Sequence, residues 1–191
     1  MPPKPKYTKD EIINAAYEMV RQLGEESLSA RNLAARLGCS TAPLFTAFSS
    51  VEELMGRVKE KAYALYMEYI ERGLSMTPAF KGSGLMYIKY AKDEPKLFKM
   101  LFMGKGAETE ATHYMPAGAD EPLVRGAVEQ RYSMDTESAR WLYNHLSVYV
   151  HGLAVMFAEG RCVFSDEDVD RMLSEVFLAL KKEVERNEKD N

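Results

Sequence analysis

The stretch Leu28–Leu54, LSARNLAARLGCSTAPLFTAFSSVEEL, decides how the rest of the chain is read. It reads as two short helices joined by a tight turn, followed at once by the capped start of a third. Ala34, Ala35 and Leu37 lead into Gly38, and Ser40 opens a second short helix that carries Leu44 and Phe48. A glycine in a turn of roughly three or four residues between two short, apolar-faced helices is the sign of a helix-turn-helix, whose second helix enters the major groove of DNA. Pro43 fits this reading. With Ser40 as N-cap it falls in the first turn, where its missing N–H costs nothing.

Upstream, Thr8-Lys9-Asp10-Glu11 matches a capping box. Ile12, Ile13, Ala16, Met19, Val20 and Leu23 recur at helical spacing, and Gly24 stops the run. A first helix is therefore expected from about Lys9 to Leu23, its apolar face buried against the two short helices. Pro2, Pro3 and Pro5 with Lys4 and Lys6 make a short basic arm, not expected to order by itself.

Downstream, Ser50-Val51-Glu52-Glu53 is a second capping box, and a long helix follows through Val58, Ala62, Leu65 and Ile70 to about Arg72. Residues Gly73 to Thr77 read as a linker, with Thr77 as cap and Pro78 in the first turn of the next helix. Further helices are expected over Pro78–Lys92, Glu94–Met103, Glu121–Tyr132, Asp135–Glu159 and Ser165–Arg186. The last has Ser165 as cap and an acidic first turn that suits the helix dipole. Between them GKGAETEATHYMPAGADEP, starting at Gly104, lacks periodicity and reads as a surface loop. No stretch alternates like a strand. The expected fold is all-α with about nine helices.

Composition narrows the class. The 191 residues suffice for one large domain or two small ones, and 46% hydrophobic with 28% charged residues is ordinary for a soluble globular protein. No run approaches the ~18 apolar residues of a membrane span, and the start MPPKPKYTKD lacks the apolar core of a signal peptide. A cytoplasmic protein with no membrane partner is expected. Cys39 and Cys162 are far apart and form no CxxC, so two free thiols are expected. The net charge is -4, but residues 1–50 hold six Lys/Arg against five Asp/Glu, so the acidity lies downstream. A near-neutral N-terminal part permits DNA binding with weak non-specific affinity, because that affinity comes from neutralising phosphates.

Catalysis finds no support. The three histidines, His113, His145 and His151, form no His-x-x-x-His pair, and no carboxylate stands at metal-ligand spacing from them. His145 and His151 are six apart, about 240° around a helix, and do not share a face. There is no Walker loop and no Gly-x-Ser-x-Gly. No catalytic residue, metal or cofactor is expected, and the chain does not read as an enzyme.

The order of these elements, with IINAAYEMVRQLG (12–24), SARNLAARLGCSTAPLFTAF (29–48) and SSVEELM (49–55), resembles the TetR family of bacterial transcriptional regulators. YAKDEPKLFKMLF (90–102) and YVHGLAVMFAEG (149–160) look like the C-terminal domain of the subgroup with a His-Gly pair in its eighth helix. The resemblance implies a DNA-binding domain over 7–56, a connecting helix over 51–72 and a ligand-binding, dimerising domain over 73–191. Thr41, Ala42, Pro43, Phe45, Thr46 and Ala47 would then form the reading surface, with Leu44 and Phe48 packed inward. Ser29, Ser40 and Ser50 stand at helix starts able to hold phosphates, and Arg31 can clamp a phosphate or reach a guanine. One departure matters: where family members often carry a Tyr-His or Tyr-Trp pair, this chain has Phe45 and Thr46, and Phe45 cannot donate a phenolic hydrogen bond.

The resemblance further implies a two-fold homodimer through the last two helices, with Trp141, Val150, Phe157, Met172, Val176 and Leu180 at the interface. It also implies an effector pocket among helices five to eight, with Tyr87, Tyr90, Phe98, Phe102, Met103, Tyr143, His145 and His151 as candidates. The function implied is a repressor on double-stranded operator DNA, released by an apolar or amphipathic small molecule. The alternative is a helical small-molecule-binding or interaction protein that has lost operator binding.

Overall fold

The structure, a computed structural model, describes residues 7–103 and 121–190, with side chains as far as Arg186. The basic arm and residues 104–120 of the expected loop, His113 among them, lie outside the described residues. Those described form nine α-helices, one 3-10 turn and no strand. The helices are α1 (Lys9–Leu23), α2 (Ala30–Leu37), α3 (Ala42–Ala47), α4 (Val51–Leu74), α5 (Ala79–Asp93), α6 (Pro95–Phe102), α7 (Glu121–Tyr132), α8 (Thr136–Ala158) and α9 (Asp166–Asp190). The described chain divides into two compact units, and the division falls inside α4, between Leu65 and Tyr66.

The first unit holds α1, α2, α3, the first part of α4, and residues 96–103. Its start is fixed by the predicted capping box: the Glu11 amide donates to Thr8 Oγ1 at 3.2 Å, and the Thr8 amide donates to the Glu11 carboxylate at 2.7 Å. That arrangement satisfies two helix-end amides that would otherwise go unpaired. The Thr8 amide, and after it the Thr8 hydroxyl, which donates to the same carboxylate at 3.0 Å, hold the Glu11 carboxyl below its ordinary pKa. Ile12, Ala16, Tyr17, Met19 and Val20 of α1 are buried, whereas Leu23 at its end is 55% exposed. Leu33, Leu44, Phe48, Leu54 and Val58 complete the core, and each large apolar side chain buried this way is worth about 1.5–3 kcal/mol before ordering costs.

The second unit holds the end of α4 with α5, α7, α8 and α9. Its core includes Val128, Ala139, Leu142 and Leu146, against which Phe80, Tyr132, Trp141, Val176, Phe177 and Leu180 pack while still partly exposed. A second aromatic group sits in the same unit: Tyr66 meets Tyr87 edge-on with centroids 5.9 Å apart, and Tyr90 lies 5.6 Å from Tyr66 and 5.3 Å from Tyr69. No buried side-chain N or O among the described residues lacks a hydrogen-bond partner.

Two expected boundaries move. The long helix does not end at Arg72 but runs through Gly73 to Leu74. Gly73 is not a linker residue, because α4 and α5 approach there so closely that a Cβ on it would lie 2.6 Å from the Gly82 carbonyl oxygen. Thr77 is not the cap of α5 either; Pro78 occupies that place, in extended backbone and with no side-chain cap.

Candidate functional site

The helix-turn-helix is built as the sequence implies, with one change in its capping. Ser29 caps α2 by accepting from the Asn32 amide at 3.1 Å. Gly38 then takes the left-handed conformation, φ 64° and ψ 40°. Its amide donates to the Ala35 carbonyl at 3.2 Å and the Cys39 amide to the Ala34 carbonyl at 3.0 Å. This is a Schellman motif, and glycine suits it because a Cβ penalises that backbone region. The N-cap of α3 is Thr41 rather than Ser40. Thr41 itself lies in the right-handed helical region and makes no side-chain cap, so its carbonyl, accepting from the Leu44 amide at 3.1 Å, starts the helix. Pro43 stays in the first turn.

This short helix splits cleanly into two faces. Leu44 and Phe48 retain 4% and 5% exposure, while Phe45 on the outer side is 54% exposed. Ala42 and Thr46 are exposed too, and Thr41, Pro43 and Ala47 are half-buried. The Thr46 hydroxyl donates back to the Ala42 carbonyl at 2.9 Å, which leaves its methyl group and lone pairs facing outward. A methyl-bearing, largely apolar surface suits thymine methyl groups better than guanine.

Charge near this surface is sparse. Gly38 to Val51 contain no Lys, Arg, Asp or Glu. Arg31 in the first turn of α2 is exposed, and Arg36 donates to Gln22 at 3.1 Å. The start of α4 differs in detail from the expected box. The Glu53 amide donates to Ser50 Oγ at 3.1 Å, but the Glu53 carboxylate accepts from the amide and hydroxyl of Ser49, at 2.6 and 2.7 Å. These bonds from Ser49 keep the Glu53 carboxyl below its ordinary pKa, the side-chain one most. Ser50 Oγ is therefore engaged with the helix it caps.

The second unit contains a cavity of about 500 Å³ among α4, α5, α7, α8 and α9. Its walls are mostly apolar, including Ile70, Phe80, Val124, Leu146, Val150, Leu173 and Phe177, with Tyr66, Tyr87, Tyr132 and Tyr143 interleaved. That size and mixture match a small-molecule site. α4 contributes Tyr66 and Ile70 to this wall.

Of the eight candidate pocket residues, Tyr87 and Tyr143 line the cavity. Tyr90 is fully buried in the tyrosine group, and His151 stands behind the wall, its Nδ1 at 2.9 Å from the Tyr87 hydroxyl. Burial lowers the His151 pKa, which favours the neutral ring. His145 is exposed, stacked on Trp141 with centroids 3.9 Å apart, and its Nδ1 donates to the Trp141 carbonyl. Phe98, Phe102 and Met103 belong to the first unit, where Phe98 is fully buried and Met103 is 43% exposed. Sequence reading missed Lys81, Ser147 and Lys181, which the cavity wall includes.

No family model matches the chain, and no curated protein matches it.

The interface candidates are divided in their surroundings. Trp141, Val176 and Leu180 pack on the core of their own unit, and Val150 lines the cavity. Phe157 carries Lys92 over its ring at 4.7 Å, and Met172 is half-buried. The outward apolar positions on α8 are Val148 at 57% and Met156 at 40% exposure, and on α9 Leu178 is 55% exposed at the edge of the cavity that it helps to line. Val148, Gly152 and Met156 recur every four residues and form one exposed stripe along α8. Among the described residues no helix is long and apolar enough to cross a membrane, and no cluster of His, Cys, Asp and Glu could hold a metal ion.

Proposed function

We propose that this chain is a ligand-responsive transcriptional regulator of the TetR type: a cytoplasmic homodimer that represses from an operator and is released by a small molecule. The observation that carries the reading is the two-faced helix after the glycine turn. Leu44 and Phe48 hold it to its unit while Ala42, Phe45 and Thr46 are left for the major groove. A cavity of ligand size in the other unit supplies the second half of such a device. Coupling would run through α4, which begins at the Ser50 cap and ends with Tyr66 and Ile70 on the cavity wall. For that to work the ligand must favour one arrangement of α4 energetically. The stripe of Val148, Gly152 and Met156 is the surface proposed for the partner copy.

Fluorescence anisotropy with duplex fragments from the DNA around the chain's own gene, at fixed salt, tests the reading. Saturable binding with at least ~10³-fold preference over random duplex supports it; binding no tighter than to random duplex counts against it. The uncharged run from Gly38 to Val51 favours one other reading, a helical small-molecule-binding protein without operator affinity. In that case the cavity binds ligand and every duplex is bound weakly or not at all.

A further inference from the structure

The cavity wall carries a charge pattern that its apolar lining does not require. Among the described residues its charged members are Lys81 on α5 and Lys181 on α9, and no Asp or Glu lines it. Each ammonium pairs with a carboxylate that stands off the wall: Lys81 Nζ is 2.6 Å from Asp170, and Lys181 pairs with Glu185. The lysine side chains keep about a quarter of their exposure, 25% and 26%, while their partners keep half, 50% and 47%. Ion pairs this open to water are weak, and an ammonium has three donors. Either lysine can therefore turn a donor to a bound anion without breaking a strong contact.

We infer that the cavity takes an amphipathic organic anion, an alkyl or aryl carboxylate with its body against the apolar wall and its head at the lysines. The inference rests on the reading of this cavity as the effector site. Two competing ligand types are disfavoured by the same residues. A cation would find tyrosine faces, but Lys181 already lies 5.8 Å from the Tyr132 centroid, and a second positive group would meet both ammoniums. A neutral ligand would gain burial alone. Hydroxyl donors are partly spent, since Ser83 donates to the Phe80 carbonyl at 2.7 Å and Ser174 to the Asp170 carbonyl at 2.9 Å. The ammoniums are thus the strongest donors that a head group meets on this wall.

Isothermal calorimetry on the full chain with decanoate, decanol and decylammonium, each below its micelle concentration, separates head-group charge from chain length. The expected order is decanoate first by at least about tenfold, then decanol, then decylammonium. The double variant Lys81→Met, Lys181→Met is expected to lose the preference for decanoate and keep its affinity for decanol. If it does not fold, the single variants Lys81→Met and Lys181→Met are each expected to lose part of that preference. Decanol or decylammonium binding as tightly as decanoate overturns the inference. So does an unchanged preference in the variants, or no decanoate binding up to about 1 mM. Operator binding with no anion preference would sink this inference alone. Anion binding without operator binding would leave it standing and sink the regulator reading.

Discussion

The Tyr87 hydroxyl and His151 Nδ1 lie 2.9 Å apart, joining α5 to α8 behind the cavity wall. Burial holds the His151 pKa below its ordinary 6.5. In the unfolded chain the ring therefore binds its proton at a higher pH than in the folded one. Stability from this group is present above the unfolded pKa, is lost as pH falls through about 6.5, and stops falling below the folded pKa. Denaturant unfolding of wild type and His151→Gln at pH 7.5 and about 5.5 is expected to show the larger loss on acidification in wild type. Parallel losses would clear His151 of the effect.

Gly82 and Gly73 meet backbone to backbone, so a Cβ at Gly82 would run into the Gly73 carbonyl, which has no flexible end to give way. Replacing a mid-helix glycine by alanine ordinarily gains about 1 kcal/mol. At Gly82 the clash outweighs that gain, and Gly82→Ala is expected to destabilise by about 1–3 kcal/mol. Gly126 of α7 has open space around its Cβ position, so Gly126→Ala is expected to stabilise by about 0.5–1 kcal/mol. Thermal melts of the two variants should move in opposite directions.

The two faces of α3 predict two classes of variant. Phe48→Ala removes a side chain 5% exposed and is expected to cost about 3–5 kcal/mol, with operator binding lost through unfolding of the first unit. Phe45→Ala, at a position 54% exposed, should leave stability within about 0.5 kcal/mol while weakening operator binding. Circular dichroism with anisotropy on the same samples distinguishes them.

The Thr46 hydroxyl proton is already given to the Ala42 carbonyl, so on the proposed reading the side chain would meet DNA with its methyl group. Thr46→Val is therefore expected to keep operator affinity within about threefold. Arg31→Ala should weaken binding and, if the guanidinium meets a phosphate, lower the salt slope by about one unit. A salt titration with no change in affinity or slope removes Arg31 from the interface.

Val148 and Met156 define the oligomer test. Val148→Lys with Met156→Lys places charge on the exposed apolar stripe of α8 and should halve the mass seen by light scattering. An unchanged mass would place the interface elsewhere.

Much of the helical layout was legible because its signals are local. α1 and α7 keep their predicted bounds, α8 lies within one residue of its expected ends, and α9 starts at the predicted Ser165 cap. The errors sit where a distant residue decides. Gly73 reads as a stop until Gly82 is seen against it. Tyr90, expected at the pocket, is taken fully inside by the packing. The cavity was least legible. A cavity is space that side chains fail to fill, and no spacing rule marks it; nothing in the sequence singles out Lys81 and Lys181, which only their neighbours place on its wall.

The division of α3 into two anchoring side chains and an outer face with a single back-bonded hydroxyl has an evolutionary consequence. Positions 42, 45 and 46 project from a helix whose attachment does not depend on them. New side chains there can be sampled one at a time with little penalty to folding, since surface exchanges typically shift stability by less than about 0.5 kcal/mol. If α3 reads DNA as proposed, such a head would be easily retargeted: lineages or libraries that vary these three residues could drift between DNA sequences while the cavity of the second unit stays as it is.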